Sequence, residues 1–253
     1  MNDPTTVSRR AFLVTSAAAS AGVVTSGAIP LQAVEGELAQ DREHDSRWLI
    51  ATHRGLYAGQ PGTAWELQGG YSMRLTSVLR WQGRTVVGGG AGLWDVPSHG
   101  GWWVQLHDET LTEVLGLGPL PGDPGLLVAS AYGVATGRRD AIAAVRWSFH
   151  TDSLTPNDRF TNAVAVTDAG WVVATEQGVL TMATGSHRWQ LSSLRGTPVR
   201  ALSRLRGQLW AGCDRTGVWY SDDGHRWQAA GHGLADTAVF ALAAAGDRIL
   251  AAT

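Results

Sequence analysis

"LWAGCDRTGVWYSDDGHRW", residues 209–227, holds two short apolar runs and two tight turns, closed by a tryptophan. Leu209–Gly212 ends in small residues, Asp214 and Arg215 begin a turn, and Gly217 restarts an apolar run that lasts to Tyr220. Ser221–Gly224 then forms a second turn before Trp227. Short runs broken by Gly, Asp and Ser read as antiparallel strands joined by hairpins. One such unit cannot bury both of its faces, so the question is whether it recurs.

It recurs throughout the chain. Strand ends of the same kind appear as "WLIAT" (48–52), "TVVGG" (85–89), "LLVAS" (126–130), "WVVAT" (171–175), "LWAG" (209–212) and "ILAAT" (249–253). Anchoring on Ala51, Gly88, Ala129, Ala174, Ala211 and Ala252 gives a period of roughly 40 residues, within the range of repeat architectures. The first five anchors are followed by Gly55, Gly92, Gly133, Gly178 and Gly217, and then by Trp65, Trp103, Trp147, Trp189 and Trp227. A further apolar strand precedes each anchor after the first, as in "SVLRW", "EVLGL" and "VRALSRL". The unit is therefore four short strands, and stacking such sheets about an axis buries their faces: an all-β propeller. A two-sheet sandwich explains the strands but not the period. Complete units are expected near 72–107, 112–150, 161–192 and 198–229, with strands left over at both ends. Either the last inner strand closes onto the first unit, giving five blades and one spare strand, or the ring is a truncated six- or seven-bladed one.

With these residues in view, "LWAGCDRTGVWYSDDGHRW" resembles the BNR/Asp-box propellers, a family that includes sialidases, sortilin-type receptor domains, xyloglucan-degrading enzymes and photosystem assembly factors. The resemblance covers residues 47–253 and implies fold more than function, because the family supports unrelated activities on one scaffold. It also implies a structural Asp-box at Ser221, Asp223, Gly224 and Trp227. Asp223 would accept backbone N–H groups, Gly224 would permit the bend and Trp227 would pack into the blade stack. The Ser221–Trp227 copy is one residue shorter than the family pattern. Its siblings "ATGSHRWQL" (183–191), "VPSHGGWW" (96–103) and "QPGTAW" (60–65) lack the aspartate. A sialidase-like enzyme would need converging arginines, an aspartate acid/base and a Tyr–Glu nucleophile pair, and no residues here are placed in that pattern.

Composition narrows the chemistry further. The 253 residues carry a formal net charge of −2, which gives no general attraction for nucleic acid. All 20 Lys+Arg positions are arginine, so a Schiff-base, pyridoxal-phosphate or P-loop lysine is excluded. The single cysteine, Cys213, excludes an intrachain disulfide and any multi-cysteine metal site. The histidines, among them His53, His107, His150 and His232, show no metal-binding spacing, and no metal or cofactor is expected.

The N-terminus has a different character. "SRRAFL" (8–13) places Arg9 and Arg10 before a mildly apolar run that lasts to Ala28, with "LQA" (31–33) as a cleavage site. It resembles a twin-arginine export signal. The run is too diluted by Ser, Thr and Gly for a stable membrane span. The expected organisation is a signal at 1–33, a polar linker at 34–46 and the propeller at 47–253. The mature chain is then periplasmic or secreted, with no membrane span after cleavage.

Topology says where a ligand would bind. The turns from second to third strand and the connections between units meet at one mouth of the ring, where recognition residues gather. They carry His53, Arg54, His107, Asp108, Tyr132, Glu176, Asp214, Arg215 and His232. The connection "TDSLTPNDR" (151–159) is a candidate lid or edge. Arg195, Arg200, Arg204 and Arg206 read as a solvated strand face or a docking patch. The expected function is a non-catalytic exported scaffold that binds a protein, peptide or glycan. The alternatives are a sialidase-like glycoside hydrolase or carbohydrate lyase, and, from the export route alone, a cofactor protein.

Overall fold

The computed structural model describes residues 12–15 and 47–253, apart from 61–62, 70, 99, 108, 121–123, 141–143, 231–232 and 246. The described elements are all strands, arranged as five four-stranded antiparallel sheets and one two-stranded sheet. The first sheet runs in the order β1 (Phe12–Thr15), β2 (Trp48–Thr52), β3 (Gly55–Gly59), β4 (Glu66–Leu67). The second holds β5 (Leu75–Trp81), β6 (Arg84–Gly89), β7 (Gly92–Val96) and β8 (Val104–Gln105). The third holds β9 (Val114–Pro119), β10 (Leu126–Ser130), β11 (Gly133–Arg139) and β12 (Val145–Phe149). The fourth holds β13 (Thr161–Thr167), β14 (Gly170–Thr175), β15 (Gly178–Ala183) and β16 (Gln190–Arg195). The fifth holds β17 (Val199–Leu205), β18 (Gln208–Cys213), β19 (Gly217–Ser221) and β20 (Gln228–Ala229). β21 (Ala241–Ala245) and β22 (Arg248–Ala252) form the last pair.

Each sheet is a meander, and the sheets stack as the blades of a propeller. Their first strands pack in succession, β5 on β9, β9 on β13, β13 on β17 and β17 on β21. The core lies between blades. Leu126, Val128 and Ala135 of the third meet Trp81, Val86 and Leu93 of the second. Ala163, Val172 and Val179 of the fourth meet Leu202, Leu209 and Trp227 of the fifth. Ala241 joins the core of Leu49, Ala51 and Leu56, so the two-stranded sheet touches the first blade as well as the fifth.

Two details differ from the sequence expectation. The inner strand of the first blade is β1, paired Phe12↔Ala51 to Thr15↔Trp48, rather than a strand from the C-terminal end. The equivalent anchor of the fifth blade is Gly212 and not Ala211, because Gly212 faces Val218 just as Ala174 faces Val179. The turn before Gly217 is one residue longer than the turn before Gly178, and Arg215 takes it up at φ 68°. Glycine is required at the anchor here: a Cβ on Gly212 would lie 2.7 Å from Val239, and one on Gly88 would lie 2.4 Å from Val114. Small residues at these points let neighbouring blades close on each other.

The repeated glycines after each anchor also have a conformational cause. Gly178 sits at φ 127°, and a Cβ there would lie 2.1 Å from the Leu194 carbonyl oxygen. The preceding residue finishes the turn. Thr52, Ser130 and Thr175 each accept the amide two residues on and donate to the carbonyl of the following glycine. "T-x-x-G" and "S-x-x-G" are thus local hydroxyl-closed turns.

Candidate functional site

Four inner strands share one irregularity at their N-terminal ends. The ladder skips Thr76 in β5, Leu115 in β9, Asn162 in β13 and Arg200 in β17. A bulge leaves one residue unpaired and re-aims its side chain. Repeated in four successive blades, it sets one side chain of each toward the mouth. Two of them tie blades together: Thr76 Oγ1 reaches the Val114 carbonyl at 2.5 Å, and Asn162 Nδ2 donates to the Val199 carbonyl at 2.9 Å.

In the fourth and fifth blades these residues assemble a charged cluster. Arg200 donates through Nη1 to Glu176 Oε1, and through Nη2 and Nε to Asp214 Oδ2 at 2.6 and 3.0 Å. Asn162 Nδ2 also donates to Glu176 Oε1, at 3.1 Å. Thr197 Oγ1 fixes the Asp214 turn by donating to its carbonyl at 2.8 Å. Burial disfavours the charged Arg200. The hydrogen bonds to Asp214 and the negative charge of Glu176 outweigh that, and the guanidinium pKa is raised above its ordinary value. Two carboxylates face one guanidinium, and all three side chains are partly exposed. The cluster therefore presents a fixed, net-negative set of polar groups to solvent.

A second concavity opens at the same end of the blades, between the connection that enters the third blade and the outer part of that blade. It has a volume of about 510 Å³ and is lined by Glu109, Thr110, Thr112, Tyr132, Phe149 and Thr151. Tyr132 is 57% exposed and Phe149 39%.

The mouth residues expected from sequence thus separate into groups. Glu176 and Asp214 meet on Arg200, and Tyr132 lines the concavity. His53, Arg54 and Arg215 are exposed on turns. His107 is turned inward, where Nδ1 accepts the Leu93 amide at 3.0 Å and the ring meets Trp94 edge-on. Asp108 and His232 lie outside the described residues, as do Arg9 and Arg10. The 151–159 connection is pinned: Leu154 is buried, and Asp158 pairs with Arg195 at 2.8 Å and accepts Thr155 Oγ1 at 2.6 Å.

Nothing in the sequence marked Asn162, and Arg200 reads there only as one of a set with Arg195, Arg204 and Arg206. The bulge resets the alternation, so position 200 does not share a face with position 204 through regular pleating. The available signal was a polar residue placed directly after the first apolar residue of an inner strand. The other arginines disperse, Arg195 to Asp158 and Arg204 toward Asp168 at 3.9 Å.

The opposite end of the blades carries the Ser221–Trp227 turn. The His225 and Arg226 amides donate to Asp223 Oδ1 at 2.7 and 2.8 Å, and the Gly224 amide donates to Ser221 Oγ at 2.8 Å. The Arg226 amide above all, with that of His225, holds the Asp223 carboxyl below its ordinary pKa, against a smaller opposing effect of burial. Trp227 is buried, with its indole N–H on the Gly224 carbonyl at 2.8 Å. Cys213 is buried, and desolvation pushes its thiol up to about 11, so it carries little thiolate at neutral pH. No group of three or more metal-ligating side chains occurs among the described residues.

His150 joins the third blade to the fourth. Its Nε2 lies 3.0 Å from Thr136 Oγ1, and its ring stands edge-on to Trp171 at 4.8 Å. Burial first, then His187 and Arg138, lower its pKa, while Asp152 opposes them. A lowered folded-state pKa means that the unfolded chain binds the proton more readily. The stability involved is complete above the ordinary value of 6.5 and is lost as pH falls from there through the folded value. Thermal melts between pH 7.5 and 5 should show a steeper decline in Tm for the native chain than for His150→Gln. Parallel curves would count against a buried neutral imidazole.

No family model matches the chain, and no curated protein does. Solved structures do. The extracellular domain of BT4673 from B. thetaiotaomicron superposes with a TM-score of 0.62 at 14% identity, covering 81% of this chain and 30% of that one. An ancestral GH74 enzyme gives 0.60 at 15%, covering 81% and 34%. YCF48 bound to D1 peptide gives 0.55 at 15%, covering 81% and 74%. The chain thus spans about a third of the first two. At these identities the likeness establishes a β-propeller and leaves activity open.

Proposed function

We propose that this chain is an exported, non-catalytic propeller that binds a protein, peptide or glycan at the mouth formed by its second-to-third-strand turns and inter-blade connections. The observation that carries the reading is the recurrent bulge, which aims Asn162 and Arg200 at Glu176 and Asp214 on a rigid inner-strand frame. Binding sites held by strands rather than free loops keep their geometry on engagement. Both carboxylates are committed to one guanidinium, a recognition arrangement rather than an acid–nucleophile pair flanking a sugar ring. The fold-level neighbours include an extracellular domain and a peptide-bound protein, which supports a binding role outside the cytoplasm by analogy only.

Export is read from Arg9, Arg10 and the run that follows. Cleavage after Ala33 would remove β1, leaving β2 as the inner edge of a three-stranded first blade. The Ser221–Trp227 turn, on the opposite end, is assigned a structural Asp-box role.

The test is a glycan array and a displayed random-peptide library screened against the purified chain, repeated with Glu176→Gln/Asp214→Asn. A selected ligand should bind the variant at least about tenfold more weakly, a loss of about 1.4 kcal/mol. Glycoside turnover by the native chain that either single substitution abolishes would replace this reading with a hydrolase.

A further inference from the structure

The concavity at the third blade carries aromatic and hydroxyl side chains and a single charge. Tyr132 and Phe149 give it exposed aromatic surface, Thr110, Thr112 and Thr151 add side chains with short polar ends, and Glu109 is its one ionisable carboxylate. Among the described residues no ion pair or hydrogen bond engages the Glu109 side chain, and no arginine is among those lining the space. The charges next to the lining along the chain have the same sign, while Arg138, which acts on His150, lies opposite Arg146 farther along the β11–β12 ladder. Glu113, whose carbonyl accepts the Ala131 amide at the base of the Tyr132 turn, is exposed, and Asp152 follows Thr151. His150, next to Phe149, is occupied by Thr136 and Trp171. The mouth cluster of the next two blades also carries more carboxylate than guanidinium. A volume of about 510 Å³ falls within the range of roughly 300–1,000 Å³ typical of ligand sites.

Resting on the binding reading above, we propose that this concavity seats a basic side chain, arginine or lysine, of a partner polypeptide. The alkyl stem lies along Tyr132 and Phe149, and the cation faces Glu109. An arginine or lysine is apolar along its stem and charged at its tip, which matches aromatic walls and one carboxylate without a partner among the described residues. The cation also gains from the aromatic faces. An anionic partner would meet Glu109, with Glu113 and Asp152 close by in the chain, and no arginine among the described lining residues. A neutral glycan would gain the aromatic surface but nothing from the charge.

The test is an amide-resolved NMR titration of the full chain with capped Gly-Ser-Arg-Ser-Gly, its lysine counterpart, and counterparts carrying citrulline or norleucine at the centre. The arginine and lysine peptides should shift amides 109–112, 132 and 149–151 saturably. Citrulline, norleucine, Glu109→Gln and Tyr132→Ala should each weaken binding about fivefold. Both substituted residues are exposed, so the remaining spectrum should be unchanged. Equal binding of arginine and citrulline peptides, shifts confined to other residues, or no saturable shift overturns the proposal. So does a neutral oligosaccharide that shifts the same amides equally well in Glu109→Gln. The broader reading fails separately: it falls if a library-selected ligand ignores both this concavity and the Glu176–Arg200–Asp214 cluster.

Discussion

Trp227→Ala is expected to lower the melting temperature by more than 6 °C without altering the mouth. The indole is 6% exposed and sits in the shared core of the fourth and fifth blades, with Leu202, Leu209 and Val172. Removing a buried Trp costs about 3–5 kcal/mol from lost transfer energy and the cavity left behind. For a chain of this size each kcal/mol moves Tm by about 2–4 °C. The Trp227 amide also donates to Ser193 Oγ of the neighbouring blade at 2.8 Å. That backbone bond survives the substitution, so the packing loss is read almost alone. Asp223→Ala should be much milder, about 1 kcal/mol, since Asp223 is exposed and water replaces it at the amides. An unchanged Tm for Trp227→Ala would mean that this turn does not hold the blades together.

Asp95→Ala is expected to destabilise by about 3–5 kcal/mol, through a network that no local pattern marks. The Asp95 side chain, 3% exposed on β7, pairs with Arg84 Nε at 2.6 Å and with Arg139 Nη2 of the next blade at 3.1 Å. Arg139 is 14% exposed and lies over the Trp81 ring at 4.9 Å, so it cannot turn out to water without unpacking. Deleting the carboxylate strands a largely buried cation, which is what makes one-sided disruption of such pairs costly. The pair itself is not an efficient source of stability. Asp95 Oδ1 and Arg139 Nε have no hydrogen-bond partner among the described residues. The double substitution Asp95→Leu/Arg139→Met should therefore recover most of the loss. Denaturant melts of the single and double variants measure this. A single variant as stable as the native chain would show that Arg139 finds another partner.

What could be read in the sequence follows from how local each cause is. The strand-turn-strand units were legible because glycines such as Gly178 are forced by backbone approach, and each leaves a fixed mark in every repeat. The anchor of the fifth blade slipped by one because the Asp214–Thr216 turn is longer and "AG" offers two small residues in succession. The inner strand of the first blade was not legible, since β1 lies more than thirty residues before its partner and within the stretch that reads as an export signal in sequence. Glu176 and Asp214 were placed at the mouth by topology alone. Their partner Arg200 was not, because a bulge changes which way a side chain points without changing the residues around it. Asp95 and Arg139 lie forty-four positions apart, and nothing in either strand marks them as partners.

The claim that binding belongs to the mouth is tested most directly by hydrogen exchange on the chain with and without a ligand selected from the library. The account predicts new protection at 109–112, 131–132, 176–177 and 214–216, with the turns at 184–188 and 222–226 unchanged. Protection at 184–188 and 222–226, with the mouth turns exchanging as before, would contradict it.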